Sequence, residues 1–258
     1  MRTILILSFL AICIASCSTA NKANDQNEKA EIEPRVMSVA DQIISRAVKA
    51  HGGDNYNTAH YTFLFRGKEY TFKNDNDQYK YTLSSKKDGN IIEHTLTNGN
   101  FTRKVNGKEE ELSEKKINGY SQGLNSVIYF ATLPYKLQDE AVYEEYIDQA
   151  TIKGKRYHVI EVTFREEGGG QDHDDTFYYW INQETNLIDY LAYNYKVGKG
   201  GVRFRTAYDT RNVDGIVFQN YVNYKAEVGT PLADLPNLWE KGALKELSKI
   251  ETEEVRRM

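Results

Sequence analysis

Gln171-Asp172-His173-Asp174-Asp175 is the densest run of chemistry-bearing side chains in the chain. Its carboxylates and imidazole offer oxygen ligands for Ca²⁺ or, through His173, a mixed set for Zn²⁺. The spacing fits neither an EF-hand loop nor a His-x-x-x-His zinc pair. Gly168, Gly169 and Gly170 just before it mark a hairpin tip, where Asp also serves turn geometry alone. Asp172, His173 and Asp174 therefore read as a solvated loop, a structural cation site or the centre of a metal-assisted hydrolase. A single histidine on a hairpin tip makes a poorly preorganised catalytic site, so the solvated loop leads.

A second constellation is an arginine pair. Arg203 and Arg205 are two apart on a strand, so they share one face. Tyr190, Tyr193 and Tyr195 on the neighbouring strand are placed to flank them. Arginines beside tyrosines suit an anionic head group or a ligand carboxylate. The competing reading pairs them with Asp189 or Asp209 on an outer face. His158 shares a strand face with Ile160, Val162 and Phe164, which aims it either into a cavity or at a partner in the core. His51 ends the first helix, where the dipole favours an imidazolium. No Gly-x-Ser-x-Gly elbow, His-Glu-x-x-His pair or phosphate loop occurs, so the expectation is a non-enzyme that needs no cofactor.

The elements that must position these residues are mostly strands. Nineteen tyrosines and ten phenylalanines against four prolines favour half-buried pleated surfaces. Tyr61, Phe63 and Phe65 alternate, as do Tyr70 and Phe72, then Tyr79, Tyr81 and Leu83. Asn98-Gly99 and Asn106-Gly107 suit tight hairpins. Strand patterns return at 158–164, 176–181, 187–197, 202–208, 216–226 and 248–255. A first helix starts at Ser38, with Asp41 completing a capping box, and stops at Gly52-Gly53. A second spans 117–133, with Tyr120, Leu124, Val127, Ile128 and Ala131 at helical spacing. Residues 231–243 read as a short helix or lid loop. The class is α+β, mostly antiparallel, with about ten strands, an early helix and a central helix.

The N-terminus addresses the chain. Arg2, an apolar run over 4–14 and small residues up to Cys17 form a secretory signal. The run is too short for a bilayer core of roughly 30 Å. Ile14-Ala15-Ser16-Cys17 resembles the bacterial lipobox, which implies cleavage after residue 16 and lipidation of Cys17; an ordinary signal with an incidental cysteine is the alternative. Residues 17–37 then form a lipidated, polar, flexible tether, and 38–258 a single domain. Cleavage removes Cys13, so the mature chain has no disulfide and no free thiol. Ser18 after Cys17 resembles an outer-membrane address, with a monomeric domain facing the periplasm. A net charge of −4 with interspersed signs offers no basic stripe for nucleic acid.

Lipidated cysteine, polar tether, early helix, strand meander, central helix and second meander together resemble the lipoprotein-carrier superfamily of LolA, LolB and LppX-like proteins. That resemblance implies an unclosed antiparallel β-barrel whose helices cover the open side above an apolar cavity. Ala50-His51-Gly52-Gly53, Tyr179-Trp180-Ile181, Tyr190-Leu191-Ala192-Tyr193, Gly201-Val202-Arg203-Phe204-Arg205 and Asn220-Tyr221-Val222-Asn223-Tyr224 are similar to segments of Gram-negative lipoproteins classed as a domain of unknown function. The functional expectation is a membrane-tethered, extracytoplasmic binding protein for a lipid, an acyl chain or another apolar ligand. The alternative is recognition of glycans or proteins on an exposed sheet bearing Asn220, Tyr221, Asn223 and Tyr224.

Overall fold

The computed structural model describes residues 37–165, 175–196 and 198–258. Cys17 and the 172–174 cluster lie outside these residues, as does Val197. The chain from Met37 onward forms one compact unit, opening with helix α1 (Val39–His51). The expected capping box is present: the Ser38 hydroxyl accepts from the Asp41 amide at 3.0 Å, and the Ser38 amide donates to the Asp41 carboxylate at 2.8 Å. Helix α1 stops at Gly52, whose φ of 147° suits glycine and whose Cβ would meet the Gly215 carbonyl at 3.1 Å. Ala40, Ile43, Ile44, Ala47 and Val48 form its buried stripe.

Six strands follow as a meander: β1 (His60–Phe65), β2 (Lys68–Asp75), β3 (Gln78–Lys87), β4 (Asn90–Thr97), β5 (Asn100–Val105) and β6 (Lys108–Glu109). Both Asn-Gly pairs turn with positive φ at each central residue, the geometry whose twist matches a hairpin. Helix α2 (Glu114–Ala131) interrupts. The chain then runs through β7 (Val142–Ile152), β8 (Lys155–Phe164), β9 (Thr176–Asn182), β10 (Ile188–Tyr195), β11 (Gly201–Val213) and β12 (Ile216–Ala226), helix α3 (Leu235–Glu240), and finally β13 (Lys245–Ile250) and β14 (Glu253–Arg257). The described residues thus hold fourteen strands rather than about ten. β7 carries Glu144, Glu145 and Asp148 on an exposed edge and lacks apolar alternation. The single strand expected at 248–255 breaks in two.

That break organises the molecule. The first sheet has the order β14-β1-β2-β3-β4-β5-β6 and the second β13-β12-β11-β10-β9-β8-β7, so consecutive strands β13 and β14 belong to different sheets. The sheets are linked at this corner, while β6 and β7 remain edges, which makes an unclosed barrel. Helix α1 packs its stripe on Ile160, Val162, Tyr179, Ile181 and Leu191 of the second sheet. Helix α2 reaches both sheets: Leu124 and Ile128 join Tyr81 and Leu96 of the first, and Tyr129 and Phe130 rest on the second. The opposite face of the second sheet is also dry, with Tyr157, Trp180, Tyr190 and Phe204 under Leu232, Leu235 and Trp239. Residues 231–243 therefore seal this outer face and are no lid over the inner one.

Candidate binding cavity

Strand parity decides which side chains meet between the sheets. On β11, Val202 and Phe204 enter the outer cluster, so Arg203, Arg205 and Ala207 point the other way. Register places Arg205 opposite Leu191 on β10 and Asn223 on β12, and Arg203 opposite Tyr193. Tyr193 and Tyr195 accompany the arginines as expected. Tyr190 does not: three residues before Tyr193, it faces outward and lies 5.8 Å from the Phe204 ring and 5.4 Å from that of Trp239.

The two arginines have different fates. Arg203 is occupied locally, its Nη2 donating to the Tyr195 hydroxyl at 2.5 Å and its Nη1 to the Val202 carbonyl at 3.0 Å. The Tyr195 ring lies directly over Gly201, where any Cβ would fall 2.5 Å from it. Arg205 is only 7% exposed. Its guanidinium carbon stands 3.9 Å from the Phe130 ring centroid and 5.2 Å from that of Tyr193, and its Nη2 donates to the Tyr193 hydroxyl at 2.9 Å. Its Nε is buried without a partner. Neither arginine pairs with an acid among the described residues, contrary to the outer-face alternative. Asp189 accepts from Tyr157 and Asn182 instead, and Asp209 from Arg211 and Asn220.

Arg205 lines a cavity of about 240 Å³ between the sheets. Phe65, Val127, Phe130 and Ile250 give it apolar walls; Tyr193, Tyr221 and Asn223 supply polar edges. The Oδ1 of Asn223 is a second buried atom without a partner. The corner between β13 and β14 closes one side. Thr252 donates its amide to the Asn220 Oδ1 at 3.0 Å, and Arg211 donates to the Thr252 carbonyl and hydroxyl. Deeper, the Tyr129 and Tyr179 hydroxyls meet at 2.9 Å. Burial pushes the phenols of Tyr129, Tyr179 and Tyr221 up, while Arg205 pulls those of Tyr179 and Tyr221 the other way. They stay neutral near pH 7 and cannot serve as the missing counter-charge.

The remaining candidates lie elsewhere. His158 shares the inner face with Ile160 and Val162 but is not part of this cavity; its ring lies 6.0 Å from that of Tyr146, and burial with Arg46 nearby pushes its imidazole down. His51 is fully buried, its Nδ1 donating to the Ala47 carbonyl at 2.8 Å and its Nε2 3.2 Å from the Gln219 amide. Burial lowers its pKa against the hydrogen bonds to Ala47 and Gln219, which raise it, so desolvation works against the imidazolium expected at the helix end. Of the surface proposed for glycan or protein recognition, Asn220 and Tyr221 are buried, and Tyr224 packs toward Trp239. Among the described residues no three His, Cys, Asp or Glu side chains converge as a metal site, and no helix is long and apolar enough to cross a membrane. Sequence reasoning missed Phe130, the platform under Arg205; its place on a helical stripe beside Val127 was the available signal.

Residues 31–252 match the Family of unknown function (DUF6503), and the chain belongs to that family. A search of curated proteins finds no match. Among solved structures, a LolA superfamily protein from Nitrosomonas europaea is 8% identical and superposes with a TM-score of 0.50, covering 85% of this chain and 94% of its own. A DUF1329 family protein from Desulfovibrio piger is 11% identical, with a TM-score of 0.41 over 86% of this chain and 94% of its own. The lipoprotein LppX of Mycobacterium tuberculosis is 12% identical, with a TM-score of 0.26 over 62% of this chain and 86% of its own. The last two superpose too loosely to argue from. The first shows the fold: a LolA-type unclosed barrel.

Proposed function

We propose that this member of a family without an assigned activity is a non-enzymatic, extracytoplasmic binding protein that holds the anionic end of an acyl-chain ligand between its two sheets. The observation that carries the reading is Arg205, a buried guanidinium with aromatic and hydroxyl neighbours but no carboxylate among the described residues. Desolvating a charge costs several kcal/mol unless an opposite charge and hydrogen bonds compensate. A ligand carboxylate at the free edge of the guanidinium supplies both, through charge-assisted N–H···O⁻ bonds. Phe65, Val127, Phe130 and Ile250 then receive the first methylenes, at roughly 0.8 kcal/mol for each CH₂ buried.

The size of the cavity narrows the reading. At about 240 Å³ it falls below the roughly 300–1,000 Å³ of sites that engulf a drug-sized ligand. It takes a head and the start of a chain, with the remainder lying outside. The LolA-type fold supports this use, and the N-terminal pattern supports its setting. Acylation of Cys17 and the polar segment over 18–36 would tether a monomeric domain to the outer membrane, facing the periplasm. The test is native mass spectrometry of the purified protein titrated with palmitate. The expected result is a saturable one-to-one adduct; a protein that stays free at every palmitate concentration refutes the reading.

A further inference from the structure

The first sheet has a depression of its own, of about 510 Å³, bounded by β2 to β5 and the first half of α2. One cross-strand row makes its floor and back: Tyr70 faces Leu83, Leu83 faces His94, and His94 faces Arg103. Arg66 and Lys68 from the β1–β2 turn and Lys86 and Lys87 from the end of β3 stand around it. Five cationic residues line the depression, and one of them, Arg103, is paired with the Glu110 carboxylate. A concave surface on which cations outnumber the single paired carboxylate focuses a positive field inward.

Two features show a preformed surface rather than a chance crowd of lysines. The first is Arg103, which is fixed in place. Its Nε donates to Glu110 at 2.7 Å, its Nη1 to His94 Nε2 at 2.6 Å, and its guanidinium lies 5.1 Å from the Tyr120 ring centroid. The second is the helix wall. Gly119 and Gly123, one turn apart on α2, both line the depression, and a Cβ at either would meet nothing within 4 Å. Glycine inside a helix costs roughly 0.5–1 kcal/mol relative to alanine. Packing does not demand these two; their effect is to keep the wall bare and the groove open.

We infer that this groove binds a phosphate-bearing anion, with Arg103 as the fixed contact and Lys68, Lys86 and Lys87 as mobile ones. Lysine point charges around an arginine fork suit a multiply charged, many-oxygen group better than a single carboxylate. A phospholipid head group and a soluble phosphate ester share that chemistry. Of the lining residues, only Arg66 also borders the Arg205 cavity, so the inference stands apart from the acyl-chain reading.

The experiment is calorimetric titration of the purified protein with inorganic pyrophosphate at low ionic strength. Co-sedimentation with phosphatidylcholine vesicles, with and without phosphatidic acid, runs in parallel. The triple variant Lys68→Gln/Lys86→Gln/Lys87→Gln changes only exposed positions and should weaken binding about tenfold or more, the scale of lost charge-assisted contacts. Lys241→Gln/Lys245→Gln/Lys249→Gln removes the same charge elsewhere and should leave binding intact. Pyrophosphate binding alone assigns a soluble ester, and selective vesicle binding assigns a head group; either supports the inference. No binding to either probe, or equal loss in both triple variants, overturns it. Arg205→Gln should leave pyrophosphate affinity unchanged even where it abolishes acyl binding, so the two readings can fail separately.

Discussion

Each of the two sheets has seven strands and a helix on its inner face, yet they are finished differently. The second is dry on both sides, under α1 within and α3 without. The first alternates buried Tyr70 and Phe72 with Glu69, Thr71 and Lys73 on its outer face, as a half-solvated sheet does. The helices follow suit. Among the thirteen residues of α1, six are buried, whereas α2 buries only Leu124 and Ile128 among eighteen. The difference separates a structural plug from a cover. Helix α1 fills its site; α2 leaves depressions along its flanks, among them an apolar one around Arg205 and a basic one around Arg103.

Core substitutions probe that contrast most strongly. Ile44→Ala, in the stripe of α1, should lower unfolding free energy by about 2–5 kcal/mol in urea titration, combining lost burial with a cavity. Val127→Ala, half-buried on α2, should cost less than about 1.5 kcal/mol, since part of its surface is already wet. Equal losses at the two sites would erase the distinction between plug and cover.

Acid should act next, through the basic side. Burial, then Arg103 and Lys68, push the His94 imidazole down to about 4. The unfolded chain takes up that proton near pH 6.5, so stability must fall as pH drops from about 6.5 toward 4, where the folded ring also protonates. Other groups titrate over the same window, so the informative quantity is a difference. His94→Gln should lose less melting temperature over this window than the parent protein; identical slopes would show that His94 carries none of the dependence. The smallest effect is a gain. Gly123→Ala should stabilise the protein by roughly 0.5–1 kcal/mol, because the added methyl meets open space.

Much of this architecture was legible in local pattern. Ser38 and Asp41 announced the start of α1, and His158, Ile160 and Val162 announced an inner face, because capping and alternation are properties of a few adjacent residues. The pairing of Tyr193 with the arginine strand was legible for the same reason. Which parity faced inward was not, because the second sheet is apolar on both faces and the alternation that would separate Tyr190 from Tyr193 is lost. The corner at Thr252 was hidden as well: Arg211 and Asn220, which hold it, are remote in sequence and polar. The basic groove escaped notice because its cations come from three hairpins. Only the register fixed by their turns brings Leu83, His94 and Arg103 into one row.

The claim that Arg205 is an anion anchor inside an apolar cavity can be tested by one comparison of affinities. Palmitic acid and hexadecanol share a chain and differ at the head. The parent protein should bind the acid about tenfold or more tightly, as expected for a charge-assisted pair. Arg205→Leu should abolish that preference while keeping or raising the melting temperature, because it removes a buried charge without a counter-charge. Acid and alcohol bound equally by the parent protein, or a preference that survives Arg205→Leu, would contradict the account.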